Sequence, residues 1–176
     1  SKMENKINVK DNLVTLISKI GEKITLRRCD FIGEDKFLNF SYIHSALKKN
    51  VGKIGVLVSL KTTKSKNELL VFGKQLCMHI AALSPLAIDK EDLDQNILIK
   101  EKEIITEELK NSGKDSIIVD KIAAGKLNKF INDNTLLNQE WVIEPKKQVK
   151  EALKNAAGKD KIEIKKFVRF KVGEEV

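Results

Sequence analysis

The sequence predicts an α+β fold in which antiparallel sheets and helices form two small subdomains, with a helical hairpin protruding from them. Strand-like and helix-like segments do not alternate regularly along the 176 residues, as they would around a parallel sheet. Two long charged helical segments follow one another with a tight polar joint, which indicates antiparallel neighbours. Aromatic residues make up 5% of the chain and hydrophobic residues 41%, so the core is expected to be aliphatic.

A helix and a strand are predicted at the amino-terminal end. Apolar residues recur at helical spacing over 9–20, and Gly21 follows them as a residue that can adopt the left-handed conformation and end the helix. Residues 23–32 then combine apolar and β-branched side chains with charged ones, which is typical of a strand.

A clearer strand is predicted at 53–60, where apolar side chains occupy alternate positions. The segment before it contains Tyr42, Ile43 and His44 and is predicted to be a loop between two strands. Exposed apolar and imidazole groups in such a loop often contact a partner, so this segment is a candidate binding loop.

The next helix is predicted to begin at Ser65, because Ser65 and Glu68 have the spacing of a capping box. Pro85 would end it. His79 lies at the edge of its apolar stripe, where a border histidine with satisfied hydrogen bonds is favoured over a contact role. Five apolar residues at helical spacing form the stripe that is expected to be buried: Leu69, Phe72, Leu76, Ile80 and Leu83.

A helical hairpin is predicted at about 94–133. Its arms, 94–111 and 115–133, have similar lengths and carry narrow apolar stripes, and Gly113 breaks the helix between them. Such stripes suit two helices that lean on each other and project into water.

The carboxy-terminal segment is predicted to form a short helix that ends at Gly158 and a strand at 162–172. Apolar residues of this strand alternate and share one face, with Phe167 as an apolar exception on the other face. We therefore expect a truncated amino-terminal subdomain at 1–62 and a carboxy-terminal subdomain at 63–176, with the hairpin as an insertion in the second.

The net charge is +8, from 33 basic and 25 acidic residues, but only three of the basic residues are arginines. Arginine is the usual residue for bidentate contacts with phosphates and bases. A lysine-rich surface therefore fits solubility or an acidic protein partner at least as well as nucleic-acid binding. A basic nucleic-acid-binding domain is the alternative, and its affinity would fall steeply with salt.

The chain lacks the residue constellations that enzymes need. The two histidines, His44 and His79, have no Cys, Asp or Glu at the spacing of a metal site or a catalytic triad. Gly52 and Gly55 flank the start of a strand that no helix follows, so no phosphate-binding loop is predicted. We expect no catalysis, no cofactor and no bound metal.

The two cysteines, Cys29 and Cys77, are far apart in sequence and form neither a disulfide framework nor a zinc pattern. Each lies in an apolar segment, so both are expected to be buried thiols in a reducing compartment. The polar start of the chain lacks the apolar centre of a signal peptide, and no apolar stretch is long enough for a transmembrane helix. The expected location is the cytoplasm.

Several short blocks occur in a fixed order along the chain. They are Ile20-Gly21-Glu22, Leu26-Arg27-Arg28, Ser41-Tyr42-Ile43-His44, Gly52-Lys53-Ile54-Gly55, Met78-His79-Ile80-Ala81-Ala82, Lys129-Phe130 and Phe167-Val168-Arg169-Phe170. Together these blocks resemble bacterial translation elongation factor Ts. No single block is decisive, but their shared order from about residue 15 to the end is specific.

The resemblance implies a guanine-nucleotide exchange factor that binds elongation factor Tu and promotes GDP release during translation elongation, with no bond chemistry of its own. The implied Tu-binding residues are Ile20, Gly21, Tyr42, Ile43, His44, Met78, His79 and Ala82. The first five would face the nucleotide-binding domain of Tu. The last three belong to the second subdomain, which approaches another domain of Tu.

Two parts of the family pattern have no counterpart in this sequence: the small amino-terminal domain that resembles ubiquitin-associated domains, and a Thr-Asp-Phe-Val segment that disturbs the magnesium site of Tu. The chain is therefore expected to be a fragment that binds Tu but exchanges nucleotide poorly. Because the family core can self-associate, the resemblance also implies a homodimer through the carboxy-terminal subdomain. A dimerisation module without exchange activity is a further alternative to the exchange function.

Overall fold

The computed structural model describes residues 6–34, 36–110 and 116–174. The chain divides into two compact units, and the boundary between them along the sequence lies between residues 31 and 32. The subdomain boundary predicted from the sequence lies between residues 62 and 63. Within the described ranges, no helix is both long and apolar enough to cross a membrane.

The first unit contains one helix, α1, at Val9–Ile20, which confirms the predicted bounds. The side chain of Asn8 caps its start by accepting a hydrogen bond of 2.8 Å from the Asp11 amide. Gly21 ends the helix in the left-handed conformation, at φ 72°, and its amide donates to the Ile17 carbonyl. No residue of α1 is buried.

The strand predicted at 23–32 is wrong, because this segment has no regular secondary structure. A strand needs one face that it can bury, and this segment offers none. One face would combine Ile24 and Leu26 with Arg28 and Asp30. Charged residues thus interrupt the apolar pattern, and a mixture of strand-forming residues without clean alternation is a weak signal.

The second unit is built on one antiparallel sheet with the strand order β1-β2-β3. The strands are β1 at Leu38–Lys48, β2 at Val51–Thr62 and β3 at Ile162–Lys171. Helices and antiparallel strands together confirm the α+β class. The predicted strand at 53–60 is confirmed as the centre of β2, and all three strands of the described residues belong to this single sheet.

The predicted loop at Tyr42, Ile43 and His44 is wrong, because these residues lie within β1. Phe40, Tyr42 and His44 alternate along the strand and pair with Val58, Val56 and Ile54 of β2. The partners Val56 and Val58 are almost completely buried, which fixes the register through the face that packs on the core.

The last strand contains a β-bulge that changes which of its residues face the core. Leu60 pairs with Ile164 and Ser59 with Lys166, so Lys165 is an extra residue opposite β2. Beyond the bulge, Phe167 pairs with the buried Val58 and packs against the core. The predicted alternation is therefore wrong after residue 164: Val168 and Phe170 occupy the opposite face.

Two helices cover one face of the sheet: α2 at Leu70–Leu83 and α5 at Val149–Ala157. Their buried side chains join Leu136, Trp141 and the inner face of β2 in one apolar core. As predicted, Gly158 ends α5, and its amide donates to the Lys154 carbonyl.

The predicted start of α2 is five residues too early. Ser65 and Glu68 do form the two hydrogen bonds of a capping box: the Ser65 amide donates to Glu68 Oε2 at 2.9 Å, and the Glu68 amide donates to Ser65 Oγ at 3.4 Å. These bonds close a turn over 66–69, and Leu69, at φ −102° and ψ 5°, interrupts helical geometry before α2 begins. The helix ends before Pro85 as expected, but Leu83 is 41% exposed rather than buried.

The predicted helical hairpin is present as α3 at Gln95–Lys110 and α4 at Ser116–Asn134. Ile105 and Leu109 of α3 are buried, and an ion pair of 2.6 Å joins Glu108 to Lys126 of α4. The predicted break at Gly113 lies outside the described residues. Near the base of the hairpin, Leu98, Leu127 and Phe130 pack with Ala87, Leu93 and Ile131 in a second apolar cluster.

The two cysteines differ in environment, so the expectation of two buried thiols is right for Cys77 and wrong for Cys29. Cys29 is exposed because the segment around it forms no strand. Cys77 is 0% exposed, and burial raises the pKa of its thiol to about 12.

We expect one thiol per native chain to react rapidly with a disulfide reagent at pH 8, since the thiolate is the reactive form. Cys77 should react only when the protein unfolds. Absorbance of the thiolate released from the reagent measures the fast reaction of Cys29 and the slow reaction of Cys77. Cys29→Ser is the control that should remove the fast reaction. Two fast equivalents in the native wild-type protein would contradict the burial of Cys77.

Candidate protein-binding surface

The fold brings the carboxy-terminal end of α2 beside the middle of the sheet. At the start of α2, Gly73 lies against the ring of Phe40. Near its end, the Ala81 carbonyl accepts a hydrogen bond of 3.4 Å from Nε of Arg169. Arg169 lies in register with Val56, the partner of Tyr42. The helix therefore runs in the same direction as β1, and its end approaches the row of the sheet that contains Tyr42.

Arg169 holds this end of the unit together. Its guanidinium also forms an ion pair of 2.8 Å with Glu174, and its side chain is only 12% exposed. A guanidinium beside the last carbonyls of a helix is favourable because it complements the negative end of the helix dipole. The end of α2 is thus fixed to β3 and to the residues that follow β3.

Tyr42 lies in the row of the sheet that this end approaches, and His44 follows it on the same face of β1. The Tyr42 hydroxyl and Nδ1 of His44 are 3.1 Å apart, and their rings are tilted at a centroid distance of 6.1 Å. Tyr42 is half-buried against the core, whereas His44 is exposed. The structure therefore presents the His44 imidazole to solvent from a rigid strand.

Gly52 allows the two strands to approach closely at this point. A Cβ at residue 52 would lie 2.4 Å from Cγ2 of Ile43 and 2.7 Å from the carbonyl oxygen of His44. Since backbone atoms cannot move aside as a side chain can, residue 52 must be glycine for this hairpin to form. Ile43 is half-buried and points to the opposite face of the sheet from Tyr42 and His44.

Ile20 and Gly21 belong to the first compact unit. Ile20 is 49% exposed at the end of α1, and Gly21 is exposed at the left-handed cap. Both are accessible, as a contact with a partner would require.

The solvent-facing side of α2 contains Met78, which is 40% exposed, and Ala82, which is also exposed. Beside this helix lie two further apolar side chains, Val142 and Ile143, at 39% and 42% exposure. The Val142 amide donates a hydrogen bond of 3.4 Å to Nδ1 of His79, which places this segment next to α2. We call Met78, Ala82, Val142 and Ile143 the α2 patch.

Sequence reasoning missed Val142 and Ile143. The available signal was a short apolar run, Trp141-Val142-Ile143, between polar segments. Such a run is as consistent with a buried turn as with an exposed patch, so the sequence could not distinguish the two.

His79 is not presented to a partner, because it is completely buried. Its Nε2 atom is 3.0 Å from Oε1 of Gln139, and its ring stacks on Trp141 at a centroid distance of 5.1 Å. Burial lowers the pKa of His79, and the hydrogen bond with Gln139 opposes this effect in part. The imidazole is therefore a neutral part of the core beneath the α2 patch.

The sequence matches the family model described as Elongation factor TS over residues 1–174. Elongation factor Ts of Rickettsia felis is 37% identical over 177 residues, which cover 99% of this chain and 57% of that protein. The protein of the same name from Nitrobacter hamburgensis is 38% identical over 160 residues, or 90% of this chain and 52% of its own length. The one from Gluconobacter oxydans is 36% identical over 94% of this chain and 54% of its own. This chain thus spans little more than half the length of these curated relatives, and it belongs to the elongation factor Ts family.

Proposed function

We propose that this chain binds elongation factor Tu, in its GDP-bound or nucleotide-free form, and promotes GDP release during translation elongation in the cytoplasm. The observation that carries the proposal is the family match over residues 1–174. The positions that the resemblance assigns to Tu binding support it, because His44, Met78 and Ala82 are exposed at neighbouring elements of the second unit.

The mechanism requires no bond chemistry. A ligand shifts a conformational equilibrium only by binding one state more tightly than the other. An exchange factor must therefore bind the distorted, nucleotide-releasing form of Tu better than the closed GDP form. Exposed groups on rigid elements suit this role, since His44 lies on a paired strand and Met78 on a helix that is fixed at both ends.

Stopped-flow release of a fluorescent GDP analogue from Tu, with and without this chain, tests the proposal. We expect release to accelerate with chain concentration until it saturates. No acceleration, together with no calorimetric binding to Tu·GDP at about 50 μM chain, would contradict the proposal. Binding without acceleration would leave a Tu-binding fragment that lacks exchange activity.

His44→Ala is expected to weaken Tu binding about threefold to tenfold without unfolding the chain, because the imidazole is exposed and its removal leaves no cavity in the core. Calorimetric titration with Tu·GDP measures the affinity, and thermal unfolding measures stability. Ser41→Ala, also exposed but on the opposite face of β1, is the matched control. Loss of the thermal transition in His44→Ala would assign His44 a structural role instead.

We also propose that the chain forms a homodimer through the carboxy-terminal subdomain at 63–176. The half-buried side chains of Val168 and Phe170, on the face of β3 opposite α2, favour this. In sedimentation equilibrium from about 1 to 100 μM, the average molar mass should lie between that of the monomer and that of the dimer and should rise with concentration. A single-chain mass at every concentration would exclude the dimer.

A further inference from the structure

The only tryptophan of the chain lies against a buried histidine, directly beneath exposed residues of the α2 patch. His79 is hydrogen-bonded on both sides: Nε2 is 3.0 Å from Gln139 Oε1, and Nδ1 is 3.4 Å from the Val142 amide nitrogen. The ring therefore joins the helix that carries Met78 to the segment that carries Val142 and Ile143.

The neighbours of His79 fix which of its nitrogens carries the proton. The Gln139 amide group donates to two carbonyls, of Asp133 at 2.7 Å and of Leu83 at 3.4 Å. Its Oε1 is therefore the atom that faces His79, and an oxygen can only accept there. Nε2 of His79 must be the donor. Nδ1 is then unprotonated and accepts from the Val142 amide.

We propose that His79 is a positioning residue, which in its neutral Nε2–H form holds the Val142–Ile143 segment in place and releases that segment when Nδ1 is protonated. A protonated Nδ1 would point a second N–H at the Val142 N–H, so the bond that joins this segment to α2 would be replaced by repulsion between two donors. The turn itself would keep its backbone hydrogen bonds between Trp141, Glu144 and Lys147. Its effect on Tu affinity rests on the function proposed above, whereas its effect on the segment does not.

The surroundings favour the neutral ring. Cys77, on the same helix, is a neutral buried thiol. The other elements packed around His79 contribute the uncharged Gln139 and Trp141, and Trp141 in turn lies against Phe72 of α2. The charged side chains nearest to Gln139 line the adjacent cavity of about 510 Å³ and are Asp133, Glu140, Lys146 and Lys147. The two acidic and two basic side chains of this cavity partly cancel each other's effect on the His79 ring. Asp133 and Glu140 are also exposed, so solvent screens their charges.

The direction of the pH dependence follows from the lowered pKa of His79. As the pH falls, His79 of the unfolded chain takes up a proton near pH 6.5, whereas His79 of the folded protein does so only at a lower pH. The folded arrangement is therefore favoured fully above about pH 6.5 and loses this advantage as the pH falls through the folded-state pKa. We expect the Val142–Ile143 segment to be joined to α2 at pH 7.5 and released from it only below pH 6.5, where the folded protein takes up the proton.

Fluorescence of Trp141 tests the first step on the isolated chain. Because the imidazole stacks on this ring, its protonation should change the emission, with one inflection below pH 6.5. His79→Gln should abolish the inflection, since glutamine keeps one donor and one acceptor but does not titrate. His44→Gln, which removes the other histidine, should retain it. Nitrogen–proton correlation spectra at pH 7.5 should show the Nε2–H tautomer of His79.

Hydrogen exchange of the Val142 amide tests the second step. At pH 7.5, His79→Leu should speed exchange of this amide about threefold to tenfold relative to wild type, as expected for one lost hydrogen bond. His79→Gln should restore protection. The amides of β2 report any loss of global stability, and Val142 should gain exchange rate beyond that common change. If His79→Leu does not fold, wild type and His79→Gln on either side of the Trp141 inflection provide the same comparison.

Calorimetric titration with Tu·GDP connects the segment to function. Between pH 7.5 and a pH below the Trp141 inflection, wild type should lose about threefold to tenfold more affinity than His79→Gln. Flat Trp141 emission, an Nδ1–H tautomer, or unchanged Val142 exchange in His79→Leu would overturn the positioning role. So would an equal loss of affinity in the two proteins. No binding to Tu·GDP at either pH, with the fluorescence and exchange results as expected, would overturn the proposed function and leave the positioning role intact.

Discussion

Replacing Gly73 by alanine is expected to lower the free energy of unfolding by about 2–3 kcal/mol, the upper part of the range for overpacking a core. A Cβ at residue 73 would lie 2.4 Å from both Cδ1 and Cγ of Phe40. These atoms belong to the body of a ring that is only 4% exposed, not to the free end of a flexible side chain. Either α2 must move away from β1, or Phe40 must leave its position in the core.

Urea denaturation measures the change, and Gly125→Ala is the matched control. Gly125 lies within α4, where a Cβ would have no neighbour within 4 Å among the described residues outside its own turn of helix. Alanine is a better helix former than glycine by up to about 1 kcal/mol, so this control should be slightly more stable than wild type. The two substitutions should thus have opposite signs. Equal stabilisation of both would mean that Phe40 can move at little cost.

The elements that the sequence predicted well are those whose signals are local. Gly21 and Gly158 end α1 and α5 because only a few neighbouring residues decide a helix end. The hairpin of α3 and α4 was predictable for the same reason, since its apolar stripes recur within each helix. Local signals also explain the error at Ser65, where a genuine capping box closes a turn instead of opening the helix.

The features that the sequence did not reveal depend on pairing between distant segments. The bulge at Lys165 exists only in the register of β3 against β2, so alternation within β3 could not predict that Phe167 faces the core. Likewise Tyr42, Ile43 and His44 lie in a strand because β2 offers a partner for every residue from Leu38 to His44. Local composition carries no information about either partner.

His79 illustrates the same limit within the candidate surface. The resemblance assigned the same binding role to Met78 and His79, which are adjacent in the block Met78-His79-Ile80-Ala81-Ala82. Successive residues of a helix, however, point about 100° apart. Met78 faces solvent, whereas His79 is covered by a segment that lies 63 residues further along the chain. Only the tertiary structure separates Met78, which is accessible to a partner, from His79, which is buried beside it.

Met78→Glu is expected to weaken Tu binding by about tenfold or more, the size of effect seen for a residue at the centre of an interface. Met78 lies between Ala82 and the helix start on the exposed side of α2, and the α2 patch around it is apolar. Docking would bury the new carboxylate against apolar surface, and removing it from water carries a desolvation cost even where Lys74, one turn earlier on α2, can pair with it. Methionine and glutamate have similar helix propensities, so α2 itself should be unaffected.

Calorimetric titration with Tu·GDP and urea denaturation of the free chain together test this expectation. Ile104→Glu is the matched control, because Ile104 is 54% exposed on α3 and the substitution is likewise from an apolar residue to an acid. Both variants should unfold at nearly the wild-type urea concentration, and only Met78→Glu should bind weakly. An equal loss of affinity in both variants would point to a general effect of negative charge. Unchanged affinity in Met78→Glu would remove the α2 patch from the interface, because no apolar contact at its centre could tolerate a buried carboxylate.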